Sequence, residues 1–191
     1  MKIPRVVKTN ISIDDYKKTL HADGYRYVGS GLYATVYSKK NSRFAIKIAR
    51  MREDGYLDYL RLIDPSNPFF PKVYSVKCFS YRNADYPWDN YSYYVVKMER
   101  LVPFNTVNGE KRERIFEQIG LDDICQLDEF EINELHSYLK ESKAKKPKLF
   151  QVIRTLKKLY RKSESDLHDG NVMWRVKRKG IPQLVITDPV V

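Results

Sequence analysis

At 191 residues, 42% hydrophobic and 13% aromatic, the chain is long and apolar enough to bury a core and short enough to form one domain or one two-lobed unit. No apolar run approaches the roughly 20 residues that span a bilayer. Met1-Lys2-Ile3-Pro4-Arg5 leads into no signal-peptide core, so a cytoplasmic protein without a membrane partner is expected. The net charge of +11, from 35 Lys and Arg against 24 Asp and Glu, favours anionic partners.

Tyr25–Val28, Tyr33–Ser38 and Phe44–Ile48 are short β-rich runs, separated by glycines and by the turn-forming Lys39-Lys40-Asn41-Ser42. Gly55–Ile63, with Leu57, Leu60 and Ile63 apolar, reads as a short helix closed by Asp64-Pro65. Lys72–Phe79 and Ser92–Glu99 read as two further strands, with the polar and aromatic Tyr81–Tyr91 as their loop. The period then changes. Gly109–Ile119, Asp128–Glu141 and Pro147–Lys162 read as helices, the last with Leu149, Val152, Ile153, Leu156 and Leu159 at helical spacing. Val172–Val176 and Leu184–Thr187 close the chain as strand-like runs around a basic turn. This order predicts an α+β protein. A five-stranded sheet with one helix covers about residues 20–101, and helices with a small hairpin cover about residues 102–191.

Cys78 and Cys125 form no close-spaced motif and are expected as reduced thiols. The positive charge is uneven. Lys140, Lys143, Lys145, Lys146, Lys148, Arg154, Lys157, Lys158, Arg161 and Lys162 crowd one stretch, and Arg175, Lys177, Arg178 and Lys179 a second. A solvated helix face and turn explain both clusters; a weak nucleic-acid contact through the basic patch is the alternative.

Three segments carry candidate chemistry. Gly29-Ser30-Gly31-Leu32-Tyr33-Ala34-Thr35-Val36 lies between two strands. Glycine lets backbone N–H groups approach phosphates, and β-formers follow where a dinucleotide loop would open a helix. The segment is therefore a phosphate-covering strand–loop–strand or a plain hairpin turn. Phe44-Ala45-Ile46-Lys47 brings a lysine into an apolar strand. Buried, that lysine needs phosphates or a carboxylate as partner; at a strand end it snorkels to water. The strongest segment is Asp166-Leu167-His168-Asp169-Gly170-Asn171, between an amphipathic helix and a strand. It offers a carboxylate to take a hydroxyl proton and an amide oxygen to hold a metal, as phosphoryl transfer requires. In Val185-Ile186-Thr187-Asp188-Pro189 the Asp ends a β-rich run, a natural place for a Mg²⁺ ligand.

From about Tyr25 to Asp188 these segments together resemble the protein kinase superfamily. The resemblance implies a bilobal kinase-like fold with a five-stranded N-lobe and a truncated, minimal helical C-lobe, using ATP and Mg²⁺. It implies that Gly29, Ser30, Gly31 and Val36 belong to the loop over the phosphates, with Ala34 where a third glycine is usual. Ala45 would line the nucleotide pocket, and Lys47 would hold the α- and β-phosphates. Met98 and Glu99 would be the gatekeeper and first hinge residue, and Leu101 would offer backbone groups to adenine. Asp166 and Asn171 match the catalytic-loop Asp and Asn. His168 stands where a Lys is usual and would assist the γ-phosphate, while Asp188 matches the metal-binding Asp, followed here by Pro189. Counting back from Pro68 gives Asp58 as the helix carboxylate, with Glu53 and Asp54 as alternatives.

Asp166–Met173, Ile186-Thr187-Asp188-Pro189-Val190, Gly29–Tyr37 and Pro71-Lys72-Val73-Tyr74 are most similar to the early serine/threonine protein kinases of T-seven-like bacteriophages. That resemblance implies phosphorylation of host proteins, including transcription or RNA-processing machinery, in the host bacterial cytoplasm. Two other classes are carried. One is a catalytically weak, kinase-like interaction protein that binds a host protein or nucleic acid through its basic surface. The other is a small-molecule phosphotransferase of the aminoglycoside class, suggested by Asp166-Leu167-His168 and disfavoured by the basic surplus. The sequence stops at Val191, where a kinase would continue into an activation loop and peptide platform. The expectation is a minimal kinase docking substrates through its basic helix, a truncated one, or a kinase-derived binding protein.

Overall fold

The structure is a computed structural model that describes residues 3–31, 33–51, 55–82, 90–119, 129–142, 146–168, 170–176 and 182–190. Cys125, Glu53, Asp54, Asp169 and most of the expected Tyr81–Tyr91 loop lie outside them. The described residues form an α+β protein with five α-helices, and the chain divides into two compact units. One unit comprises Lys2–Leu57 and Lys72–Arg100; the other comprises Asp58–Pro71 and Leu101–Val191.

The first unit is built on a six-stranded sheet of order β1-β5-β6-β4-β3-β2. Its strands are β1 (Val6–Lys8), β2 (Arg26–Ser30), β3 (Ala34–Ser38), β4 (Phe44–Arg50), β5 (Val73–Arg82) and β6 (Asn90–Glu99). β1 runs parallel to β5 and every other pair is antiparallel. This corrects the expected five-stranded sheet, because β1 adds an edge strand that local pattern did not announce.

A helix that the pattern also missed, α1 (Ile13–Ala22), joins β1 to β2. Ser12 caps it, accepting the Asp15 N–H at 3.1 Å while its hydroxyl donates to the Asp15 carboxylate at 2.7 Å. Gly24 ends it at φ +83°, and the Tyr25 N–H reaches back to the Leu20 carbonyl at 2.9 Å. Leu20 of α1 packs with Tyr37, Ile46, Ile48, Tyr93 and Val95, flanked by Ile13 and Tyr16, so α1 covers one face of the sheet. Strand alternation then assigns the residues between these to the other face.

In the second unit α3 (Gly109–Ile119), α4 (Glu129–Ser142) and α5 (Pro147–Tyr160) fall where helical periodicity placed them. α5 buries Leu149, Val152, Ile153, Leu156 and Leu159, the stripe read from spacing. The expected hairpin is a three-stranded sheet, because β7 (Val102–Pro103) pairs with β8 (Val172–Arg175), which pairs with β9 (Gln183–Ile186). Trp174 is fully buried there, stacked 5.5 Å from Phe104 and donating its indole N–H to the Phe104 carbonyl at 2.7 Å.

The segment after α2 (Tyr56–Leu62) belongs to this second unit and is tied to α5 and β8 by polar bonds. Buried Asn67 donates to the Lys148 carbonyl at 2.9 Å and to Gln151 Oε1 at 3.0 Å, and its Oδ1 accepts the Phe69 N–H at 3.1 Å. Arg175 donates to the Pro68 and Phe70 carbonyls at 2.7 and 2.9 Å. No helix among the described residues is long and apolar enough to cross a membrane.

Candidate active site

In the sheet unit, register alone gathers the expected nucleotide residues. Residues paired across antiparallel strands share a face. One row runs Gly29, Val36, Lys47, Val96 across β2, β3, β4 and β6, and the next runs Ser38, Ala45, Met98. Gly29, Val36, Ala45, Lys47 and Met98 therefore stand on one face, opposite the face that α1 covers.

Lys47 is 5% exposed, so it is a buried strand lysine rather than a snorkelling one. Its Nζ sits 3.7 Å from the centroid of the Tyr56 ring, a cation–π contact with a fully buried aromatic. Sequence reasoning did not single out Tyr56; nothing but the fold shows it over a lysine. Glu99 is buried and accepts the Lys72 N–H at 2.8 Å, while its own N–H donates to the Lys72 carbonyl at 2.9 Å, so its carboxylate braces the start of β5.

The glycine segment is open. The Gly31 N–H donates to the Ala34 carbonyl at 3.0 Å, and Tyr27 and Ser30 share a hydroxyl hydrogen bond at 2.9 Å. A Cβ added at Gly29 or Gly31 would meet nothing within 4 Å, so packing among the described residues does not demand glycine there. Leu32 is outside the described residues.

In the helical unit the Asp166–Asn171 loop is cross-braced. The Asn171 amide Nδ2 donates to the Asp166 carbonyl at 2.7 Å and to the Asp166 carboxylate at 2.8 Å. Two acceptors around one terminal atom identify it as the nitrogen and make Oδ1 the acceptor atom of the amide. The Asn171 carbonyl in turn accepts both the Thr187 N–H and the Thr187 hydroxyl, each at 2.8 Å. Thr187 immediately precedes Asp188, and the Asp166 N–H donates to the Pro189 carbonyl at 2.9 Å. Asp166, Asn171 and the Asp188 segment are thus brought together by hydrogen bonds.

His168 lies beside them. Its Nδ1 accepts the Gly170 N–H at 3.0 Å, and its Nε2 is 3.0 Å from Asn171 Nδ2 and 3.7 Å from an Asp166 oxygen. A neutral imidazole accepts at one nitrogen only, and both Asn171 amide protons are used on Asp166. In a neutral ring Nδ1, which accepts from Gly170, is therefore the acceptor nitrogen. A Cβ at Gly170 would stand 2.7 Å from His168 Cε1, so the exposed imidazole would have to move aside.

Tyr160, at the end of α5, is pushed up to about 12, chiefly by burial. Of the remaining expected residues, Asp58 is half exposed and pairs with Arg61 one turn along α2, and Leu101 is half-buried.

Among the described residues no group of three or more His, Cys, Asp or Glu is placed to hold a metal by itself. One amide oxygen from Asn171 and one carboxylate from Asp188 suit a hard cation that keeps waters and substrate phosphate oxygens as its other ligands. No protein-family model matches the chain, and no curated protein matches it.

Proposed function

We propose that this chain transfers the γ-phosphoryl group of ATP to Ser or Thr hydroxyls of proteins, with bacterial host proteins as substrates. The observation that carries the reading is the Asp166–Asn171–Thr187 brace, which holds a half-exposed carboxylate, an amide oxygen and the Asp188 segment in one local array. The sheet order β2-β3-β4-β6-β5, with Lys47 buried on β4 and α2 following it, supports the kinase-like bilobal reading.

In this reading Lys47 contacts the α- and β-phosphates, the open Gly29–Val36 segment covers the phosphates, and Ala45, Met98, Glu99 and Leu101 receive adenine. Asn171 and Asp188 hold Mg²⁺, which when bound neutralises charge on the phosphate oxygens. Asp166 takes the acceptor's proton as the acceptor oxygen bonds to the γ-phosphorus and the bridging oxygen leaves with ADP. His168 steadies Asp166 and assists the γ-phosphate. The expected test is labelled phosphate from ATP entering host-lysate proteins with the parent chain and not with Asp188→Ala. Equal labelling by both overturns the metal role.

A second reading, a kinase-like binding protein, is favoured by one observation. Lys148, Arg154, Lys158, Arg161 and Lys162 are all exposed on α5 and just beyond it. Salt-sensitive nucleic-acid binding with no labelled product would select it.

A further inference from the structure

Resting on the phosphate role of Lys47, we infer that Tyr56 is a positioning residue: the face of its buried ring fixes the Lys47 ammonium for the nucleotide phosphates. The Lys47 Nζ lies 3.7 Å from the ring centroid, and both side chains are almost wholly out of water, where such a contact is strongest.

The ring is itself held on two further sides. Its hydroxyl donates to Met98 Sδ at 3.7 Å, and its face stacks on Tyr94 at 6.1 Å and 21°. Met98, Tyr94 and Lys47 all stand on the same sheet face, because Ala45, Lys47 and Ala49 pair in turn with Met98, Val96 and Tyr94. The ring therefore spans from the position expected to border adenine to the lysine expected to meet the phosphates. A π face attracts an ammonium without itself neutralising it. The backbone of α2 thereby bears on Lys47 through an aromatic side chain, whatever carboxylate also serves it.

The test uses the full chain with ¹³C-labelled lysine. Lys47 ε-CH₂ protons above a ring are shifted upfield, and the signal is assigned by its loss in Lys47→Arg. The expected result is an upfield signal in the parent and in Tyr56→Phe, and its return to the ordinary lysine position in Tyr56→Leu. An ordinary Lys47 signal in the parent overturns the inference without any Tyr56 variant, so a Tyr56→Leu chain that does not fold leaves it decidable.

MgATP titration then separates function from geometry. Tyr56→Phe is expected to bind within about twofold of the parent, and Tyr56→Leu on the order of tenfold more weakly. Equal MgATP affinity in parent and folded Tyr56→Leu overturns the positioning role while leaving the nucleotide reading intact. A parent that binds no MgATP overturns the nucleotide reading and with it the functional part of the inference, even if the shifted Lys47 signal is present.

Discussion

The Asp166–Asn171 loop and the Gly29–Val36 segment are built in opposite ways. The first is closed on itself. Asn171 binds Asp166 through both amide protons, His168 accepts from Gly170, and Thr187 grips the Asn171 carbonyl twice. The second is open: the ladder of β2 and β3 carries it, and no atom among the described residues crowds Gly29 or Gly31. Under the proposed function the contrast would have a physical reason. Groups that must keep fixed distances during a proton transfer are held by short local bonds before any ligand arrives. A segment that must let backbone N–H groups approach phosphates keeps glycine where its own packing does not need it.

The largest expected effect is at the braced loop. Asp166→Asn should lower phosphoryl transfer by about 100- to 10,000-fold, measured as turnover, because the proton acceptor is gone. Its melting temperature should stay near the parent's, since the Asn171 bond to the residue-166 carbonyl remains. A large loss of stability there would mean that the brace serves folding rather than chemistry.

Next in size is Asn67→Ala in the same unit. It removes two donated bonds and one accepted bond at a buried site and should cost about 2–3 kcal/mol in denaturant unfolding. An unchanged midpoint would show that the segment after α2 is not anchored as described.

A pair of glycine substitutions sharpens the contrast directly. Gly170→Ala must displace the His168 ring and should cost about 1 kcal/mol, with shifted His168 imidazole signals. Gly31→Ala should stay within about 0.5 kcal/mol of the parent in the same unfolding measurement, while weakening MgATP binding. Equal costs at both positions would erase the distinction between closed and open segments.

The smallest effect is a pH dependence. Asp64 is lowered from 3.8 to about 2, first by the Gln151 side-chain amide that donates to it at 2.9 Å and then by the Ser66 N–H. A depressed carboxylate contributes stability that is present above pH 3.8 and lost as pH falls through about 2. The stability gap between the parent and Asp64→Asn should therefore close over that window in acid titration. A gap that persists below about pH 2 contradicts the assignment.

Much of this was legible from sequence because it is local. The stripe of α5 repeats at its own period, and the Asp166–Asn171 chemistry sits within six residues of chain. What was missed has particular causes. β1 is three exposed residues on a sheet edge, so it has no alternation to show. β7 is two residues long and ends in Pro103. α1 did carry signals, Ser12 three residues before Asp15 and Gly24 just past the end, but its apolar positions Ile13, Tyr16 and Leu20 are sparse. The contact of Tyr56 with Lys47 joins a helix to a strand, and neither residue's neighbours in sequence announce it.

The most direct measurement of the central claim is mass spectrometry of host-lysate proteins after incubation with ATP and Mg²⁺, comparing the parent chain with Asp166→Asn. Phosphorylated Ser or Thr sites that appear with the parent and are absent with Asp166→Asn are the predicted result. The same sites at the same occupancy with both chains, or no new sites with the parent, would contradict it.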